Sequence, residues 1–95
     1  IYGSYVLCSG ETGAPLAILD GTMLTVWRTA CASALASRYL SRKDASRMVM
    51  VGAGALAPHL IRAHASIRPI RNVTLWNRSR EKAQALADGL SGTIP

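Results

Sequence analysis

Between Arg47 and Ala57 the chain reads Arg-Met-Val-Met-Val-Gly-Ala-Gly-Ala-Leu-Ala. A near-continuous apolar run stops on Gly52, and Gly54 follows one residue later. Such a run suits a strand covered on both faces, as in a parallel sheet. From Ala55 to about Ser66, Leu56, Leu60, Ile61 and Ala65 recur at helical spacing. Pro58 falls in the first turn of that helix, where its missing N–H costs nothing. A polar break (Arg68-Pro69, Arg71-Asn72) precedes a second strand, Val73 to Trp76. Ser79 then stands where it caps a last helix, whose stripe is Ala83, Leu86, Ala87 and Leu90 and whose end is marked by Gly89, Gly92 and Pro95. Residues 47–95 therefore read as strand, glycine bend, helix, strand, helix.

In that setting Gly52-Ala53-Gly54-Ala55-Leu56-Ala57 matches a G-x-G-x-x-G/A dinucleotide fingerprint. Gly52 permits the tight turn, and Gly54 lets the backbone approach a diphosphate with no Cβ in the way. Ala57 lets the helix sit close to the strands. The helix start offers free N–H groups and partial positive charge to the phosphates. The hexapeptide in isolation is a weak signal, and the alternative to dinucleotide binding is a merely structural glycine turn. Cofactor preference is read at the end of the second strand, where an Asp or Glu ordinarily accepts from the adenosine ribose of NAD. Here Asn77-Arg78-Ser79 stands instead, with no carboxylate before Glu81. An arginine pairs with a 2′-phosphate and Asn and Ser add neutral hydrogen bonds, which favours NADP(H) over NAD(H). The bland alternative for Arg78 is a solvated loop residue.

The first half differs. Residues 4–9 and 15–20 are short apolar runs around Thr12-Gly13, the pattern of two strands joined in a hairpin. Asp20-Gly21-Thr22 breaks the second run. From Met23 to about Ser41 an Ala-rich helix is expected, with Leu24, Trp27, Cys31, Leu35 and Tyr39 about one turn apart. Its small residues predict close packing on several sides and burial over most of its length. Arg28 sits in the middle of it, where an unpaired guanidinium is costly. It is either a clamp on a substrate carboxylate or the partner of a buried acid such as Asp20, and composition leaves the two even. The connector around residues 42–46 is the expected boundary between the halves.

Composition narrows the function classes. The 95 residues are 49% hydrophobic and 17% charged, with a formal charge of +6, which fits at most one folded domain rather than a disordered chain. The eleven Lys+Arg are scattered singly or in pairs, so no nucleic-acid surface is expected. No apolar stretch reaches the roughly 20 residues that cross a bilayer. The start at Ile1 has neither an initiator Met nor a signal-peptide pattern, the expectation being a segment of a longer protein. Cys8 and Cys31 are expected as buried, reduced thiols of a cytoplasmic protein. His59 and His64 are five apart, so no i, i+4 metal pair forms and surface or capping roles are expected; no metal site is predicted.

Taken together, Asp20-Gly21-Thr22, Leu24-Thr25, Arg28-Thr29-Ala30, Ser33-Ala34, Val51-Gly52-Ala53-Gly54 and Trp76-Asn77-Arg78-Ser79 resemble, in order and spacing, the ornithine cyclodeaminase/mu-crystallin family. The resemblance covers essentially the whole chain. It implies an α/β fold: a partial Rossmann dinucleotide-binding unit preceded by a β-hairpin and a long connecting helix from a substrate domain. Residues 1–46 would be the end of the substrate and dimerisation domain with its connecting helix, and residues 47–95 the first part of the Rossmann NADP-binding domain. Arg28 would contact the substrate carboxylate. Thr29, Asn77, Arg78 and Ser79 would contact NADP, with Gly52, Ala53, Gly54, Ala55 and Leu56 around the pyrophosphate. Leu56 departs from relatives, which often carry Gln there. The Asn-Arg-Ser block looks like the NADPH-dependent reductases that convert cyclic imino acids such as Δ1-pyrroline-2-carboxylate to proline. The alternatives are an NAD-dependent ornithine cyclodeaminase and a mu-crystallin-like protein that holds NADPH without turnover. A homodimer acting on a small imino or amino acid is implied. The family's substrate-binding Lys would lie before Ile1 and its catalytic Asp after Pro95, so no catalytic residue is assigned here and the segment alone is expected to be inactive.

Overall fold

A computed structural model of the chain describes residues 2–92. Strands β1 (Ser4–Cys8) and β2 (Pro15–Asp20) form an antiparallel hairpin, in register from Ser4 opposite Asp20 to Leu7 opposite Ala17. A bulge follows between Leu7 and Cys8, where the partner is Pro15, which has no N–H to give the ladder. The turn is built locally. Ser9 Oγ accepts from the N–H groups of Glu11 and Thr12 at 3.3 and 3.2 Å, and Gly13 takes φ +73°.

Helix α1 (Gly21–Leu40) begins directly after β2 because Asp20 caps it: Oδ1 accepts from Thr22 N–H at 2.8 Å and Met23 N–H at 3.3 Å. A cap of this kind contributes about 1 kcal/mol. Only Ala30 and Ala34 of α1 are buried. The expectation of a helix buried over most of its length is therefore corrected. Ala30 and Ala34 lie one turn apart on a single face and pack with Ala63, Leu60 and Ile67 of α2 (Ala57–Ile67), while Trp27, Leu35, Tyr39 and Leu40 are exposed. Small side chains bring the two helices together along one seam instead of inviting neighbours all round.

Strands β3 (Arg47–Val51) and β4 (Asn72–Trp76) pair in parallel, Arg47 opposite Asn72 through Val51 opposite Trp76, with α2 as the crossover. Met48, Met50, Val73 and Leu75 are half-buried, whereas Val49 and Val51 on the other face are each 67% exposed. The strand expected to be covered on both faces is thus covered on one. Ile61 is fully enclosed, and Ile70 and Leu90 are buried as well. Helix α3 (Arg80–Leu90) runs through Gly89 and stops at Gly92, whose φ of +82° suits the residue after a helix cap. Pro95, the other expected stop, lies outside the described residues. The Cα radius of gyration of 16.3 Å exceeds the roughly 12 Å of a packed domain this long, consistent with open apolar faces.

Two other expectations change. Cys8 and Cys31 are free, but exposed rather than buried, since neither face of the hairpin is covered and Cys31 lies off the α1–α2 seam. The histidines are not surface residues: both face α1. His59 meets Trp27 edge to face with ring centroids 4.8 Å apart, and His64 Nε2 is 3.0 Å from Ser33 Oγ. Arg68, in the polar break, is half-buried against α1. Its guanidinium donates to the carbonyls of Ser37, Arg38 and Ser41 at 2.7–3.1 Å and so closes the C-terminal end of α1.

Candidate functional site

The ladder of β3 runs one residue past the strand: Gly52 N–H donates to the Trp76 carbonyl at 2.7 Å. Gly52 then turns at φ +106°, a conformation that L side chains rarely adopt. The bend closes when Ala57 N–H donates to the Gly54 carbonyl at 3.0 Å, and α2 starts from Leu56 with no side-chain cap and with Pro58 in its first turn. A Cβ built on Gly52 or Gly54 meets nothing within 4 Å, so the outer side of the bend is open.

The peptide N–H groups on this bend are unequal. Ala53 N–H donates to Asn77 Oδ1 at 3.3 Å, Ala57 N–H is used by Gly54, and Pro58 has none. The N–H groups of Gly54, Ala55 and Leu56 have no acceptor among the described residues. Three successive free donors at the start of a helix form a concavity suited to an anion. A nucleotide diphosphate fits that donor set and the open side at Gly54.

Beyond β4 the three residues after Trp76 divide their work. Asn77 is half-buried and already engaged, its Nδ2 donating to the Ser79 carbonyl at 2.9 Å. Arg78 is exposed, without an ion pair or hydrogen bond among the described residues. Ser79 stands at the N-cap of α3, yet its hydroxyl makes no capping bond there. Arg78 and Ser79 thus keep free donors beside the glycine bend.

Arg28 and Thr29 lie on α1. Asp20 is occupied as the cap of α1 and forms no ion pair with Arg28, which is exposed and without a partner among the described residues. Of the two readings left open by composition, the ion pair with Asp20 is excluded. Arg28 instead lines a cavity of about 590 Å³ together with Tyr5, Gly21, Thr25 and Leu56. Leu56 belongs to the glycine bend, so the cavity joins the start of the hairpin and α1 to the candidate anion site. Thr29 is half-buried, and its hydroxyl donates back to the Thr25 carbonyl at 2.7 Å. No hydrogen bond links it to the bend among the described residues.

Sequence reasoning missed the cavity wall at Gly21. A Cβ there would lie 2.8 Å from the Gly3 backbone, and Gly21 N–H donates to the Gly3 carbonyl at 2.8 Å. The Asp20 cap immediately before it was the available signal. No cluster of metal-ligating side chains occurs among the described residues.

Residues 2–94 match the ornithine cyclodeaminase/mu-crystallin family. The chain belongs to that family. It is 51% identical over 92 residues to the protein SAR DEFICIENT 4 of Arabidopsis thaliana, covering 96% of this chain and 28% of that one. It is 43% identical over 95 residues to a Delta(1)-pyrroline-2-carboxylate reductase of Colwellia psychrerythraea, covering all of this chain and 30% of that one. Among solved structures, the Delta(1)-pyrroline-2-carboxylate reductase of Thermococcus litoralis in complex with NADH and L-proline superposes with a TM-score of 0.87. The two share 33% identity over 98% of this chain and 29% of that one. The chain therefore spans under a third of the length of these family members. It has the α/β fold expected, a partial Rossmann-type unit behind a hairpin and a connecting helix.

Proposed function

We propose that this chain supplies the nucleotide cradle and the carboxylate-binding arginine of an NADP(H)-dependent reductase acting on a cyclic imino acid such as Δ1-pyrroline-2-carboxylate. The observation that carries the reading is the row of unpaired N–H groups at Gly54, Ala55 and Leu56, one wall away from an unpaired Arg28. The names of relatives at comparable identity over the whole chain point to the same reaction class.

In this reading, Gly52 and Ala53 shape the bend, and Gly54, Ala55 and Leu56 hold the diphosphate. Arg78 and Ser79 hold the 2′-phosphate, the basis for NADP(H) over NAD(H). Bound there, a nicotinamide cofactor would supply a hydride to the C=N carbon of an imine already protonated on nitrogen. Arg28 pairs with the substrate carboxylate and fixes the imine's orientation, and the apolar wall at Leu56 keeps water from the reacting carbon. Thr29, on α1, contacts the same nucleotide. Residues 1–46 are assigned to the substrate domain and its connecting helix, and residues 47–95 to the nucleotide domain, in a cytoplasmic homodimer.

The test is oxidation of NADPH by the full-length protein with Δ1-pyrroline-2-carboxylate. Arg28→Ala should raise KM for the imino acid on the order of 100-fold, the worth of a charged hydrogen-bonded pair, with nucleotide affinity unchanged. Release of ammonia from ornithine without added reductant would replace this reading with a cyclodeaminase. Tight NADPH binding with no turnover would replace it with a holding protein.

A further inference from the structure

Asn77 is placed differently from its two neighbours. Its carboxamide spans two segments far apart in sequence: Oδ1 accepts from Ala53 N–H in the glycine bend at 3.3 Å, and Nδ2 donates to the Ser79 carbonyl at 2.9 Å. The side chain is half-buried between them. One end fixes the peptide preceding Gly54, whose N–H is the first of the free donors. The other fixes the turn that carries Arg78 and Ser79.

We infer that Asn77 is a positioning residue for the whole nucleotide site, not a ligand of the 2′-phosphate. The inference rests on the proposed diphosphate cradle and sharpens it. A group that spends both its acceptor and a donor on the protein holds the two halves of the site at a fixed separation. Ala53 shows why this matters. With its N–H taken by Asn77, the next three N–H groups are the ones left without an acceptor among the described residues. Without that tie the Ala53 peptide is free to rotate, and the row of donors loses its common direction. Both nicotinamide nucleotides carry the diphosphate, whereas only NADPH carries the 2′-phosphate. A positioning role and a contact role therefore separate in the ratio of their affinities.

The experiment is a fluorescence titration of the full-length protein with NADPH and, separately, with NADH. Asn77→Ala should weaken both by a similar factor, on the order of ten-fold for two lost hydrogen bonds, and leave their ratio within about two-fold of wild type. Asn77→Asp keeps an acceptor for Ala53 but places a carboxylate against the Ser79 carbonyl. It should retain NADH binding and lose NADPH binding, which also guards against a variant that fails to fold. Amide exchange at Ala53 should speed up in Asn77→Ala and stay slow in Asn77→Asp. Loss of NADPH affinity alone in Asn77→Ala overturns the inference in favour of direct phosphate contact, and no change for either nucleotide overturns it outright. A wild-type protein that binds neither nucleotide instead removes the cradle itself, so the two failures are told apart before any variant is made.

Discussion

The β1–β2 hairpin and the β3–β4 pair each hold two strands and each turn on a glycine with positive φ, Gly13 at +73° and Gly52 at +106°. They are stabilised by different things. The hairpin is closed by Ser9 and its own ladder, and none of its side chains is buried; Leu16 and Ile18 are 64% and 76% exposed. The parallel pair is joined through α2, which seats Ile61 at 0% exposure and presents the free N–H groups of the bend. Antiparallel strands need only a turn to find their register, while parallel strands need a crossover and the core it buries. In this chain the candidate chemistry sits where the long-range packing is.

The two glycines give the largest contrast. Gly13 lies in the left-handed region that Asn tolerates, whereas Gly52 lies outside it. Gly52→Val should weaken NADPH binding on the order of 100-fold, through backbone strain of about 1–3 kcal/mol that distorts the bend. Gly13→Asn should leave titrations with the nucleotide unchanged; equal damage at both bends would erase the distinction.

Next in size is the core. Ile61→Ala should cost about 2–5 kcal/mol in urea unfolding of the full-length protein. Ile18→Ser measures the other region: within about 0.5 kcal/mol if the hairpin face is exposed there too, and far more if another part of the protein covers it. Arg68→Ala should cost about 1.5–3 kcal/mol, because the carbonyls of Ser37, Arg38 and Ser41 lose a charged donor. A neutral result would show that water closes the end of α1 equally well.

The smallest effect belongs to His64. Burial against α1 holds its pKa below the ordinary 6.5, so the unfolded chain binds the proton more readily. The resulting stabilisation is complete above that ordinary value and is lost as the pH falls through the lowered one. A thermal melt at pH 7.5 should exceed one at pH 5, and His64→Gln should remove the part of that difference owed to the α1–α2 seam.

Much of this was legible residue by residue. The hairpin turn, the start of α1 and the end of the last helix are set by interactions within a few positions: Ser9 on Glu11 and Thr12, Asp20 on Thr22 and Met23, Gly92 after Leu90. Burial was not legible. The alanines of α1 were expected to face packing on several sides, and only Ala30 and Ala34, on one face, are buried. Arg68 was read only as part of a polar break; neither its acceptors on α1, 27 to 31 positions away, nor the Ala53 N–H that donates to Asn77 from 24 positions away could be read locally.

By itself the order of residues placed the start of each strand and helix to within two residues and marked the glycine bend between β3 and α2. Those are properties of φ, of caps and of side-chain periodicity, all local. Tertiary structure alone decided that Arg68 closes the end of α1, that Asn77 ties Ala53 to Ser79, and that Leu56 shares a wall with Arg28. Each of those depends on which distant group reaches a donor or acceptor first, and distance in space is set only once α1 and α2 have packed.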